Sequence, residues 1–190
     1  MRSVILASQS PRRRQLLEQV NIPFTVVPSS VEEIVDKTLS PAEIAMSLSK
    51  QKADEIFKRH PESVVLGADT IVVAQDSILE KPFDVQEAYD MLQLLSGASH
   101  SVVTGVTINS YENTVSFYEE TIVHFYALTH EEIELYVESG EPFDKAGAYG
   151  IQGLGATLVK KIEGDYFTVV GLPIAKVVQV LKEFQIYQKK

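Results

Sequence analysis

A chain of 190 residues, 45% hydrophobic and 23% charged, has the size and composition of one globular domain, read here as residues 1–190. A net charge of −9 argues against a broad nucleic-acid surface, and the absence of cysteine excludes disulfides and thiolate metal sites. No run of 18 apolar residues offers a transmembrane helix and the N-terminus lacks a signal-peptide layout, so a cytoplasmic protein is expected, with neither membrane nor nucleic acid as partner.

Residues 3–8 read as a buried strand that ends in Ser8-Gln9-Ser10. Ser10 is a good N-cap and Pro11 suits the first helical position, so residues 10–20 are predicted as a helix with Leu16, Leu17 and Val20 as its buried stripe. Arg12 and Arg13 fall in the first turn, at the positive end of the helix dipole. A cation there costs roughly 0.3–1 kcal/mol, and the free N–H groups of that turn already favour an anion. Arginines gathered at this spot make sense if a polyphosphate binds; a solvated basic face is the alternative.

Phe24 to Val27 read as a second strand, followed by a loop from Pro28 to Thr38 that carries Glu32, Glu33 and Asp36. Ser40, Pro41 and Glu43 form a capping box for a helix running to about Lys58. Ala45, Leu48, Ala53 and Ile56 mark its inward face, and Lys52, four residues after Leu48 and four before Ile56, points the same way. Such a lysine either snorkels along its stem or faces a carboxylate or phosphate. Val64-Val65-Leu66 is a short strand ending in Gly67-Ala68-Asp69-Thr70, with Ile71 to Val73 extended beyond it. Carboxylates at the carboxyl ends of strands mark ligand sites in open α/β sheets, so Asp69 is a candidate; a turn cap is the other reading. Glu32, Glu33 and Asp69 offer hard oxygen donors suited to Mg²⁺ or Mn²⁺, although on spacing alone a solvated acidic loop is the stronger reading for any one of them.

After a turn at Asp76-Ser77, Lys81 stands before Pro82 in an extended segment and is a second site lysine to consider. Asp84 and Glu87 suggest a capping box for the next helix, which Ser96-Gly97 ends. Residues 100–108 and 114–127 read as an antiparallel hairpin turning near Glu112-Asn113. Thr129 and Glu132 cap a helix that stops at Ser139-Gly140. The Gly-rich stretch from Asp144 to Gly155 is neither a dinucleotide fingerprint nor a P-loop. It reads either as a loop enclosing a base, with Tyr149 for stacking and Gln152 as an amide reader, or as a plain glycine turn. Residues 156–162 and 166–170 suggest a second hairpin about Glu163-Gly164-Asp165. Gly171-Leu172-Pro173 opens a last helix with Ile174, Val177, Val178, Leu181 and Phe184 as its stripe. His60, His100, His124 and His130 lack metal-ligand spacing and read as structural or surface residues, and Ser8 and Ser10 lack a nucleophile-elbow context. Helices interleaved with hairpins favour an α/β fold with a mixed sheet.

Several of these stretches occur in one order: Leu6-Ala7-Ser8-Gln9-Ser10-Pro11-Arg12-Arg13, the Glu32-Glu33 loop, Lys52-Ala53, Gly67-Ala68-Asp69-Thr70, Lys81-Pro82, Ser96-Gly97 with His100 and Thr104-Gly105, and Lys145-Ala146-Gly147-Ala148-Tyr149. In that order the chain resembles the Maf family of nucleoside triphosphate pyrophosphatases, also known as septum formation inhibitors. Asp144 to Gly153 is similar to the subgroup acting on dTTP and UTP. The resemblance implies a mixed, elongated β-sheet flanked by helices, of the kind shared with inosine triphosphate pyrophosphatases, and often a homodimer. It implies hydrolysis of the α–β phosphoanhydride of dTTP, UTP and modified pyrimidine nucleotides to a nucleoside monophosphate and pyrophosphate. It makes Asp69 the proton acceptor, links Arg12, Thr70 and Gln152 to substrate selection, and adds Ser8, Arg13, Glu33, Lys52 and Lys81 as active-site positions. The chemistry of these residues agrees: Asp69 and Glu33 suit a Mg²⁺ or Mn²⁺ ion, and Arg12, Arg13, Lys52 and Lys81 suit phosphate charge. The alternative is a non-catalytic nucleotide-sensing regulator of cell division acting through partners.

Overall fold

The computed structural model describes residues 4–189; position 3, where the first strand was expected to begin, lies outside them. The elements are β1 (Val4–Leu6), α1 (Pro11–Gln19), β2 (Phe24–Val26), α2 (Pro41–Arg59), β3 (Val64–Ala74), β4 (Ser77–Leu79), α3 (Val85–Leu95), β5 (Ser99–Asn109), β6 (Thr114–Phe125), α4 (His130–Glu138), β7 (Val159–Glu163), α5 (Tyr166–Val170) and α6 (Ile174–Leu181). Seven strands form a mixed sheet in the order β2-β1-β3-β5-β6-β7, with β4 paired to β3. β1 runs parallel to β2 and to β3, in register Val4 with Phe24 and with Val64. β4 is antiparallel to β3, and β7 is antiparallel to β6. The fold is therefore α/β with a mixed sheet flanked by helices, as the interleaved pattern predicts.

The chain gathers into two compact units: Met1–Asp69 with Thr104–Glu119 and Gly171–Lys190, and Thr70–Val103 with Glu120–Val170. In the first, all three residues of β1 are buried, as befits a central parallel strand written as a continuous apolar run. Ile5, Ala7 and Val65 pack on Ala53 and Ile56 of α2. The Ser40–Glu43 capping box starts α2 as its spacing predicts, and α6 buries Ile174, Val177 and Leu181. The expected stripe continues into a 3₁₀ turn, Lys182–Phe184, whose Phe184 is buried. Fully burying one such Leu or Ile stabilises by about 1.5–3 kcal/mol.

The core of the second unit joins Val72 of β3, Leu92 and Leu95 of α3, Val123 and Phe125 of β6, Ile133 and Tyr136 of α4, and Tyr149. β5 and β6 are antiparallel: Ser99 bonds His124 and Ser101 bonds Glu120. The connecting turn is closed by Ser110 N–H donating to the Asn113 carbonyl at 2.8 Å.

Three expectations change. Residues 166–170 are helical, because the Asp165 carboxylate accepts from the backbone N–H of Thr168 at 2.7 Å and from its hydroxyl at 2.9 Å, a local cap that overrides the β propensity of Tyr, Phe, Thr and Val. Asp84 accepts from Glu87 N–H at 2.8 Å, but Glu87 reaches back to Phe83 N–H at 2.7 Å, so the reciprocal bond falls one residue early. β3 is also one continuous strand, which leaves Asp69 in its middle rather than at its end.

Candidate active site

The parallel ladder between β1 and β3 stops at Leu6 and Leu66, with one further bond from Ala7 N–H to the Leu66 carbonyl at 2.8 Å. Ser8 and Asp69 thus emerge just past the end of the ladder, where an open α/β sheet presents its ligand crevice. Two functional consequences of strand position survive although Asp69 is mid-strand: small Gly67 and Ala68 precede it, and the parallel neighbour has ended.

Ser8 is buried, and its Oγ accepts from Ser10 N–H and from Arg13 Nη1, both at 3.2 Å. Ser10 caps α1 by accepting from Arg13 N–H at 3.4 Å. The Arg13 guanidinium also donates through Nε to the Gly171 carbonyl at 2.7 Å. Burial lowers its pKa from the ordinary value, Asp69 and Glu33 counter that shift, and Arg12 adds to it. An arginine stays charged regardless. Arg14 points elsewhere and pairs with Glu18 at 2.8 Å on the exposed side of the helix. The basic turn therefore divides: Arg12 and Arg13 share one electrostatic cluster, whereas Arg14 is surface.

Lys52 faces inward, as its spacing predicts. Its ammonium lies 2.5 Å from Asp69 Oδ1 and 3.0 Å from Glu33 Oε1, with 16% of the side chain exposed against 13% for Asp69 and 42% for Glu33. Of the two loop glutamates, Glu33 is the one that meets the lysine. The loop is held there by Gln51, whose Oε1 accepts from Ile34 N–H at 2.9 Å while its Nε2 donates to the Ile34 carbonyl at 2.8 Å. Neither Gln51 nor the Gly171 carbonyl was legible as a site feature. Gln51 carries no chemistry of its own, and Gly171 is distant in sequence. Arg12, Arg13 and Lys52 gather with Asp69 and Glu33 in this cluster, and cations so placed suit phosphate charge.

In the second unit Thr70 is half-buried directly after Asp69, and Lys81 is exposed ahead of the buried Pro82. Gln152 is exposed in extended conformation, φ −100° and ψ 171°, before the 3₁₀ turn Gly153–Thr157. Tyr149 is no stacking surface. It is 5% exposed, shares a 2.6 Å hydrogen bond between its hydroxyl and His100 Nε2, and packs edge-on against Phe125 with ring centroids 4.7 Å apart. Its apolar ring filled the core, and buried His100 satisfied its hydroxyl. His100 is structural, as expected.

A family model described as Maf-like protein matches residues 3–184. A protein of Bacillus cytotoxicus named dTTP/UTP pyrophosphatase is 57% identical over 184 residues, 97% of this chain and 96% of that protein. One of Bacillus mycoides with the same name is 56% identical over 184 residues, with the same coverage. One of Bacillus cereus, again so named, is 55% identical over 186 residues, 98% of this chain and 97% of its own. The basic first turn, the inward lysine and the strand aspartate therefore lie within one continuous match, and the chain belongs to the Maf family.

Proposed function

We propose that this chain is a nucleoside triphosphate pyrophosphatase acting on dTTP and UTP, and on modified pyrimidine nucleotides, releasing a nucleoside monophosphate and pyrophosphate. The reading further takes residues 1–190 as one catalytic domain that works as a cytoplasmic homodimer. The observation that carries it is the Lys52 ammonium between the Asp69 and Glu33 carboxylates beside Arg13, in a chain with relatives of 55–57% identity named for that activity. Among the described residues, no helix is long and apolar enough to cross a membrane.

Asp69 serves as proton acceptor for the water added across the α–β phosphoanhydride. Lys52 holds the carboxylate in place through its 2.5 Å contact and shares its charge with an incoming phosphate. Arg12, Arg13 and Lys81 stabilise charge on the phosphates and on the leaving pyrophosphate. Ser8 fixes the Arg13 fork, and Thr70 and Gln152 bind the nucleoside. Glu33 and Asp69 are the residues that would hold a Mg²⁺ or Mn²⁺ ion, through their hard carboxylate oxygens. Among the described residues no group of three or more His, Asp or Glu forms a metal cage. Such a metal polarises the phosphates when bound.

The test is product analysis with dTTP, UTP, CTP, GTP and 7-methyl-GTP in Mg²⁺ or Mn²⁺, beside Asp69→Asn. Monophosphate and pyrophosphate from dTTP and UTP, lost in the variant, is the expected result. Orthophosphate as the product, or no turnover with either metal, overturns the reading.

A further inference from the structure

A single tyrosine–glutamate pair brackets the loop that carries Gln152. The Glu141 carboxylate accepts three bonds: from Leu154 N–H at 3.0 Å, from Gly155 N–H at 3.1 Å and from the Tyr136 hydroxyl at 3.0 Å. The Tyr136 hydroxyl in turn accepts from Gly150 N–H at 3.1 Å. Bonds therefore fall two residues before Gln152 and two and three residues after it. The glycines between them leave room for the carboxylate: Gly153 has φ +63°, and a Cβ there would stand 2.6 Å from Glu141 Oε2. Lys145 closes the other side, donating to the Glu141 carbonyl at 2.5 Å and to Asp144 at 2.7 Å, with its stem where a Gly150 Cβ would be. Burial pushes the Glu141 carboxyl's pKa up, but the Gly155 and Leu154 amides, the Tyr136 hydroxyl and Lys145 outweigh it and hold it below the ordinary range. A carboxylate ionised in place is what lets it accept three bonds.

We propose that Glu141 and Tyr136 are positioning residues that fix the backbone of 150–155 and so set how Gln152 reads the pyrimidine. This rests on the reading of Gln152 as a nucleoside-binding residue. Fixing a loop before the ligand arrives removes an ordering cost and sharpens discrimination between similar bases. Glutamine cannot replace the glutamate: one of its two termini is an N–H donor and would face an amide N–H.

The experiment compares Glu141→Gln, Tyr136→Phe and Gln152→Ala with wild type. The readouts are kcat and KM for dTTP and CTP, and amide hydrogen exchange at Gly150, Leu154 and Gly155. Expected are faster exchange at those amides in both clamp variants and a dTTP-over-CTP preference reduced roughly tenfold, carried by KM more than by kcat, the scale of a lost charge-assisted bond. Tyr136→Phe keeps the ring in the core, so it reports on the hydroxyl even if Glu141→Gln folds poorly. Unchanged exchange in Tyr136→Phe overturns the clamp. Faster exchange with unchanged preference, where Gln152→Ala does change it, overturns the positioning role while Gln152 stands. An unaltered preference in Gln152→Ala removes the reading beneath it, and the proposal falls with that reading.

Discussion

Gly67 of β3 lies directly beneath the Ser49 carbonyl of α2: a Cβ at Gly67 would collide with that oxygen and stand 2.9 Å from the Ala53 nitrogen. This close approach brings Lys52, one turn along the helix from Ser49, onto Asp69, two residues along the strand from Gly67. Gly67→Ala therefore has to lift the helix from the strand. Overpacking of this kind costs about 1–3 kcal/mol. The variant is expected to lose that much stability in urea unfolding and to lose more kcat/KM than Ala substitution at exposed Arg14, whose pairing with Glu18 is worth well under about 1 kcal/mol.

Lys52→Met keeps the stem and removes the charge, leaving Asp69 and Glu33 without the cation they share. Hydrolysis of dTTP is expected to fall roughly 10²–10³-fold, the range for losing one aimed donor in an active site. Lys52→Arg is not expected to rescue it, because a planar fork does not fit a point contact at 2.5 Å. Steady-state kinetics of the two variants decide this, with circular dichroism to verify folding.

Gln51→Ala cuts both bonds to the Ile34 backbone while leaving every charged residue in place. The Glu33 loop then loses its two backbone bonds to α2 but keeps the Lys52–Glu33 pair and the Ser30–Glu55 bond, so KM for the metal–nucleotide complex should rise several-fold with stability changed by only about 1 kcal/mol. A titration of Mg²⁺ or Mn²⁺ dependence reads this separately from folding: if Glu33 serves the metal, the activating concentration rises too.

His100 gives a pH prediction for the fold. Burial, helped by the charge of His124, holds its pKa down to about 4, and its Nδ1 is buried with no hydrogen-bond partner. The unfolded chain, at about 6.5, takes up the proton first. Stability from neutral His100 is full above about pH 6.5 and is lost as pH falls toward 4, by up to about 3 kcal/mol. Thermal melts of wild type and His100→Gln across that window should differ in slope, with the variant flatter.

Local signals were legible where local bonds decide the structure. Ser40 with Glu43 and Thr129 with Glu132 form their capping boxes because the partners are three residues apart on the same chain. The helical period placed Lys52 inward for the same reason. Tyr149 was open between a stacking surface in a base-enclosing loop and part of a plain glycine turn, and Phe125 and His100, distant in sequence, enclose it. The loop clamp of Glu141 and Tyr136 was equally silent, since a glutamate and a tyrosine five residues apart carry no pattern until the chain returns at 150–155.

By itself, then, the sequence determined the α/β class, the order of its helices and strands apart from the helical segment 166–170, and a set of charged residues whose order along the chain marks the family. Those follow from periodicity, capping and motif order, all short-range or linear properties. The resemblance singles out Glu33 and Arg13, but only the tertiary structure decided which charges meet: Lys52 on both Glu33 and Asp69, Arg14 on Glu18, and Asp69 within a strand rather than at its end. Ion pairs and buried hydrogen bonds act over a few ångströms, so they depend on close packing such as Gly67 permits, and that packing is fixed by residues far apart in the chain.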